Sequence, residues 1–295
     1  MKTVTSVSGG QSSAYIAANY PSDFLVFALV CIEDRNCTPK DKKLVQMVSD
    51  KIGREFIATA EDDVILHTMF DLEQYLGQTI DWVVGPTFDQ LVQPDHPKFC
   101  NTTKLLPSTH RRMCTVEMKM RPMFDWWRNH CNIAEGEIVI KQIGFRAGED
   151  RRANNMLERC DEHGIMAMKH VVGQHASGRN KWAETRYEKP VFPLIENGIH
   201  RDRIVEFWKD KPVRFAERNN CVGCFHRNPL LLRKMFDVHR NKMEWFARQE
   251  RGRKHRWDTW KGTSDMRYDV IKKHRLQFEL DFDDFSECDS GHCGL

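Results

Sequence analysis

The run with the clearest chemical signature is Ser8-Gly9-Gly10-Gln11-Ser12-Ser13, which separates a strand-like stretch from a helical one. Two adjacent glycines let a backbone approach an anion closely and turn its N–H groups inward. The helix that follows offers its positive end, and the serine hydroxyls add donors. The chemistry this implies is phosphate binding, without the Gly-Lys-Ser/Thr of a Walker loop. A Cβ branch at Gly9 or Gly10 is therefore expected to remove anion affinity while leaving the fold largely intact.

Arginines form the second group. Arg146, Arg151 and Arg152 follow the apolar stretch Glu137–Phe145, and Arg111 and Arg112 precede Cys114. Guanidinium forks match phosphate or sulfate oxygens two at a time, so Arg146 and the 151–152 pair are expected to contact a substrate anion. Glu33 and Asp34 either offer a carboxylate for magnesium or are ordinary loop acids.

Cysteines form the third. Ten of them in 295 residues is many for a chain that is neither short nor loop-rich, so clustered ones point to metal, iron–sulfur or thiol chemistry rather than to a disulfide scaffold. Cys221-x2-Cys224 is the tightest pair and Cys288-x4-Cys293 a looser one. Four thiolates so spaced suit tetrahedral zinc, whereas the CxxC pair alone also suits a redox dithiol. Cys31 ends an apolar strand and Cys160 lies in a charged helical stretch, and neither is given a role.

The elements that must position these groups alternate in the first half. Lys2–Val7 has strand character, Ser12–Tyr20 is helical, and Phe24–Ile32 is a continuous apolar run, as in a strand buried on both faces. Helices are expected over Pro39–Gly53, Asp63–Leu76 and Val116–His130, where Pro122 either lies inside the helix or marks its start. Strands are expected over Asp81–Val84 and Glu137–Phe145. Strands alternating with helices predict a parallel sheet covered on both faces. After Pro190-Val191-Phe192-Pro193 the pattern becomes helical, over His200–Lys209 and from Asn228-Pro229 to about Arg251, with one further strand candidate at Leu276–Phe282. This predicts two domains, 1–195 and 196–295.

The net charge of +3 is unevenly spread. Residues 200–275 carry 21 Lys/Arg against 10 Asp/Glu, and residues 276–295 carry six acids and no Lys or Arg. Residues 227–261 interleave cations with Phe236, Trp245, Phe246, Trp257 and Trp260. Basic groups beside aromatics are a nucleic-acid signature. The same aromatics also recur at helical spacing with Leu232, Met235 and Met243, as core residues do, leaving Arg251–Lys254, His255-Arg256-Trp257 and Trp260 as the candidate contacts. No apolar run is long enough to span a membrane, and no signal-peptide pattern opens the sequence, so a cytoplasmic location is expected.

Taken together, these motifs resemble a known family. SGGxxS is similar to the SGGxDS loop of the PP-loop, or N-type, ATP pyrophosphatases. Three segments narrow the resemblance to the phosphoadenosine phosphosulfate (PAPS) reductase-like branch, including forms met in phage and prophage genomes. They are Arg112-Met113-Cys114-Thr115 with Lys119 and Pro122; Ile143-Gly144-Phe145-Arg146-Ala147-Gly148-Glu149-Asp150-Arg151-Arg152; and Asn220-Cys221-Val222-Gly223-Cys224-Phe225. The resemblance reaches from residue 8 to about 235. It implies an α/β adenine-nucleotide α-hydrolase-like fold with a mainly helical C-terminal lobe, ATP or PAPS as ligand, and chemistry at the α-phosphate or its sulfate. If the chain is phage-encoded, its compartment is the host cytoplasm.

The family also implies another metal set, in which Cys114 joins Cys221 and Cys224 on a 4Fe–4S cluster, with Cys288 or Cys293 as fourth ligand or the fourth iron open. Ser12 departs from the pattern, since ATP-hydrolysing members carry Asp there, a carboxylate that helps hold magnesium. His292-Cys293-Gly294-Leu295 resembles the Cys-Gly-Leu of true sulfonucleotide reductases, in which the cysteine attacks the sulfonate sulfur, although the double glycine of the loop does not resemble theirs. The leading expectation is an adenylyl-nucleotide enzyme serving sulfur transfer or modification of another molecule, a nucleic acid among the candidates. The alternatives are a thiol-dependent PAPS reductase with Cys293 as nucleophile, or a nucleotide-binding regulator without catalysis.

Overall fold

The computed structural model describes residues 1–93, 105–108, 111–133, 136–255 and 258–276. The chain runs β1 (Thr3–Ser6), α1 (Gln11–Asn19), β2 (Phe24–Ala28), β3 (Cys31–Ile32), α2 (Lys42–Ile52), β4 (Ala58–Thr59), α3 (Asp63–Leu76), β5 (Ile80–Val83) and α4 (Phe88–Val92). Next come α5 (Met113–Thr115), a π-helical turn (Val116–Met120), α6 (Arg121–His130), β6 (Val139–Gln142), α7 (Asp150–Leu157), β7 (Met166–Gln174) and β8 (Asn180–Val191). Helices α8 (Pro193–Glu196), α9 (Arg201–Trp208), α10 (Pro229–Val238), α11 (Arg240–Glu250) and α12 (Tyr268–Ile271) follow.

Six strands form one sheet in the order β5-β2-β1-β6-β8-β7, parallel except for the edge strand β7. The apolar run of β2 explains its central place. Leu25 and Phe27 join the core on one face with Ile16, Ile65 and Leu72, while Val26 and Ala28 join the other with Phe124, Trp127 and Tyr187. Alternate side chains thus reach opposite faces, and helices cover both. The fold is α/β with a mostly parallel sheet, as the alternation of strands and helices predicts.

Local chemistry sets the helix ends. Asp41 accepts from the N–H groups of Lys43 and Leu44 at the start of α2, Asp62 from Val64 at the start of α3, and Asn228 from Leu230 at the start of α10. Both Gly53 and Gly77 close their helices in the left-handed conformation. Pro122 falls in the first turn of α6, directly after the π-helical turn. A proline ring clashes with the carbonyl four residues earlier, and the wider turn ahead of it relieves that clash.

Several expected boundaries change. The stretch Phe24–Ile32 is not one strand. β2 ends at Ala28, and β3 leaves the sheet to pair antiparallel with β4, Cys31 opposite Thr59. The helix expected from 228 to about 251 breaks at His239, whose φ of −122° and ψ of 50° are not helical and whose imidazole lies 3.4 Å from Asp62. The β7–β8 hairpin has no counterpart in the sequence reading, because its strands are polar along most of their length. The chain after 195 does not bury a core of its own among the described residues. Ile199, Ile204 and Trp208 pack with Ile16 and Leu66, and Phe246 and Trp260 pack with Val30 and Phe88.

The C-terminal helices converge on Glu250, which is 2% exposed. Its carboxylate accepts from the N–H groups of Tyr268 at 2.6 Å and Trp260 at 3.0 Å. Burial pushes its pKa from 4.5 to about 7, despite those two bonds. Between these values the folded protein keeps a proton that the unfolded chain has lost, so stability falls as pH rises from 4.5 to 7 and levels off above. The full change is about 3 kcal/mol. Denaturant midpoints measured across this range should slope downward in the wild type. The slope should be clearly shallower in Glu250→Gln, and parallel slopes would refute the assignment.

Candidate functional site

The Ser8–Ser13 loop follows β1, which lies beside β6, and the chain departs from these two strands toward opposite sides of the sheet. Such a switch point opens a crevice beyond the carboxyl ends of the strands, where ligands bind in parallel α/β sheets. Here the segment after β6 closes on the loop. A Cβ on Gly144 would lie 3.1 Å from Ser13 N and 3.3 Å from Ser12 Cβ, so only glycine allows this approach without displacement. Ala147 N–H donates to Ile199 O at 3.0 Å, stitching the same segment to the start of α9.

Ser13 ties the loop internally. Its Oγ accepts from Ser8 N–H at 3.1 Å and donates to Gly10 O at 3.1 Å. Trp208 of α9 donates its indole N–H to Gln11 O at 3.0 Å. Gly9 has φ +80°, and a Cβ there would sit 2.6 Å from Ile65 Cγ2. A branched residue at Gly9 would thus strain the backbone and displace α3, which corrects the expectation that Gly9→Val spares the fold. By contrast, Gly10 is extended, at φ −92° and ψ 152°, a conformation open to any residue.

An open cleft of about 350 Å³ lies over the loop, lined by Gly9, Gly10, Gln11 and Ser12, by Arg146 and Arg201, and by Phe215, Glu217 and Asn219. Of the predicted arginines, only Arg146 lines it. Glu149 aims Arg146, accepting from its backbone N–H at 2.7 Å and its Nε at 3.2 Å. Burial pushes the Glu149 carboxyl up, but the Arg146 N–H and the Arg146 and Arg152 guanidinia outweigh it, and its pKa lies below the ordinary value. Arg152 is drawn to Glu149 at 2.5 Å and lies over the Phe145 ring at 4.4 Å, while Arg151 is exposed. Neither Arg151 nor Arg152 lines the cleft, so the expected anion contact rests on Arg146. Arg111 is occupied elsewhere, by Leu106 O at 3.2 Å and Asp258 at 3.7 Å.

Sequence reasoning missed Arg201, one of 45 Lys/Arg residues and distant in sequence from every motif. The junction of residues 147 and 199 and the Trp208 bond to Gln11 O bring α9, and with it Arg201, to the loop. Glu33 accepts from Thr87 Oγ1 and Gln90 Nε2, and Asp34 caps the turn Arg35–Cys37 and pairs with Arg248. Both therefore serve structural contacts. The carboxylate that lines the cleft is Glu217, already held by Lys234 at 3.0 Å and near Arg218 at 3.8 Å. Among the described residues the cleft thus offers a magnesium ion this one carboxylate, and the rest of its shell would have to come from phosphate oxygens and water.

The second cavity, about 50 Å³, brings Cys114, Cys221 and Cys224 together with Arg112, Lys119, Asn220 and His226. Cys114 comes from α5, and the other two from the loop ahead of α10. That loop is pinned to the sheet side by Val222 N–H to Ala60 O at 2.9 Å and by a bridge from Cys221 to Glu61. Arg227 and Lys261 hold its carbonyls, Arg227 Nη2 on Asn219 O at 2.7 Å and Lys261 Nζ on Phe225 O at 2.8 Å. Burial pushes Cys114 up to about 11 and Cys221 well above the ordinary thiol.

The pocket is nevertheless cationic. Lys119 lies near Cys114 and Cys221 and donates to Glu61 at 3.0 Å; Arg112 lies near Cys114 and Cys224; Lys261 lies near Cys224. Arg112 Nε is buried with no hydrogen-bond partner among the described residues. Lys119 is balanced by Glu61, whereas Arg112 and Lys261 have no ion pair among the described residues, and three thiols beside these two cations fit a thiolate-held, net-anionic group. Among the described residues no three His, Cys, Asp or Glu side chains stand ready-made around a metal ion, so the thiols would have to draw together to hold one. The described cysteines, Cys221 and Cys224 included, are free thiols, and Cys288 and Cys293 lie outside the described residues.

In the basic block, Phe236, Trp245, Phe246 and Trp260 are buried in the core. This corrects the expectation that Trp260 is free to stack on a base, and Arg256 and Trp257 lie outside the described residues. Among the described residues no helix is long and apolar enough to cross a membrane. Compared with family models, curated proteins and solved structures, the chain matches none.

Proposed function

We propose that this chain is a PP-loop enzyme of the PAPS reductase-like kind, which binds ATP or a related adenylyl nucleotide and acts at its α-phosphate. The observation that carries the reading is the SGGQSS loop at the switch point between β1 and β6, with Arg146 and Arg201 facing it across one cleft. Phosphates would sit on the loop N–H groups and the start of α1, their remaining charge met by the two guanidinia. The cysteine pocket supports sulfur transfer or modification of a second molecule as the purpose of that step. Cys114, Cys221 and Cys224 would hold zinc or an iron–sulfur cluster, which supplies a soft site for sulfur. Arg112 and Lys261 would offset its negative charge.

Two measurements on the full chain test this. Incubation with ATP should release pyrophosphate or AMP. Sulfite from PAPS would indicate the thiol-dependent reductase instead, and nucleotide binding without turnover would favour the regulator, as Ser12 in place of Asp does. Anaerobically purified protein should contain zinc or iron. Cys221→Ser/Cys224→Ser should lose it, since hydroxyls replace thiolates badly as ligands. Metal-free fresh protein would leave the three thiols as a redox or core group.

A further inference from the structure

The β7–β8 hairpin takes no part in either cavity. Its root is anchored: His170 packs on Phe124 with ring centroids 5.1 Å apart, its Nε2 lies 2.9 Å from Thr185 Oγ1, and Arg121 donates to Lys169 O at 3.3 Å. Beyond that root every residue from Val171 to Trp182 is exposed. Trp182 is 56% exposed, with Val171 directly across the ladder at 42% and Val172 beside it at 48%. A tryptophan left in water at the end of a two-stranded ribbon is a costly placement that the core does not require.

Charge indicates what covers it. Residues 166–191 carry five Lys/Arg (Lys169, Arg179, Lys181, Arg186 and Lys189) against Glu184 and Glu188. Glu188 is fully buried against Lys141, and Glu184 faces Lys169 across the ladder. From Val171 to Trp182 there is no acid at all, and Arg179 and Lys181 flank the turn and the indole. An exposed aromatic face beside unpaired cations is the chemistry that recognises an unpaired base and its phosphates. A protein partner of the apolar patch would have to be acidic and would not use the flat indole face in this way.

We propose that the tip of this hairpin is a single-stranded nucleic-acid contact, Trp182 stacking on a base while Arg179 and Lys181 hold the neighbouring phosphates. This rests on the hairpin alone and does not depend on the nucleotide reading. It relocates the nucleic-acid surface from residues 227–261, where the described aromatics are buried, to a segment that the sequence does not mark.

The test is fluorescence anisotropy with a labelled single-stranded oligonucleotide of about 20 nucleotides, long enough to cover one binding site. The full chain should bind it with a log–log salt slope of about −1.4, as two phosphate contacts predict. Trp182→Ala should weaken binding about 5- to 100-fold, the worth of one stacked base. Arg179→Glu/Lys181→Glu should weaken it further and flatten the salt slope. The tip makes no core contacts, so circular dichroism and ATP binding should be unchanged in both variants. No binding by the wild type, unchanged affinity in either variant, or tighter binding of duplex with Trp182→Ala neutral would overturn the proposal.

Discussion

Lys141→Met is expected to cost about 3–5 kcal/mol of stability, the usual loss when one member of a buried ion pair is removed. Lys141 is 2% exposed and Glu188 is fully buried, with the ammonium 3.3 Å from the carboxylate and 5.0 Å from the centre of the Trp127 ring. The two residues sit on the adjacent strands β6 and β8, inside the core that also holds Phe124 and Tyr187. Burial raises the Glu188 pKa above its ordinary value even with Lys141 and Tyr187 pulling it down. Removing the ammonium leaves the carboxyl to take up a proton, so the loss should shrink as pH falls. The double variant Lys141→Met/Glu188→Leu should recover most of the stability, because no charge is then left in the core. Denaturant titration of the three variants checks this, and a single-variant loss under about 1 kcal/mol, the worth of a surface pair, would refute it.

Arg146→Ala/Arg201→Ala should reduce ATP affinity by about 100- to 10,000-fold, since two charge-assisted contacts to phosphate are each worth about 1.5–3 kcal/mol. Arg201 is exposed at the start of α9, and its single replacement should leave thermal stability unchanged. Arg146 also serves Glu149, so its single replacement should loosen the 145–152 segment as well. Calorimetric titration with ATP separates the two effects. If the double variant binds within threefold of the wild type, the cleft is not the phosphate site.

The strands and helices around β1 were legible in the sequence, though not their order in the sheet, because buried parallel strands and capped helices leave local marks. The apolar stretch around Leu25, the Asp62 and Gly77 ends of α3 and the double glycine at 9–10 are all readable without neighbours. The cleft was half legible. Arg146 lies in the segment directly after a recognisable strand, whereas Arg201, Glu217 and Asn219 reach the loop only through packing of α9 and the segment after it. The three thiols were visible as residue types, but their meeting rests on long-range ties at residues 60 and 61, which bond Val222, bridge to Cys221 and accept from Lys119 beside Cys114. The hairpin escaped notice because the apolar alternation of β7 ends at His170, after which the pattern is that of a polar loop.

Asn219 lines the cleft over the Ser8–Ser13 loop and Asn220, the next residue, lines the cysteine pocket. Asn220 also holds a positive φ of 70°, a conformation that few side chains tolerate and that asparagine tolerates best. One peptide unit is therefore a common wall, and any rotation that reshapes one cavity reshapes the other. If each cavity takes an occupant and binding at one rotates this peptide, the linkage is reciprocal: whatever factor an occupant of the loop cleft applies to the affinity of the thiol site, an occupant of the thiol site must return to the cleft.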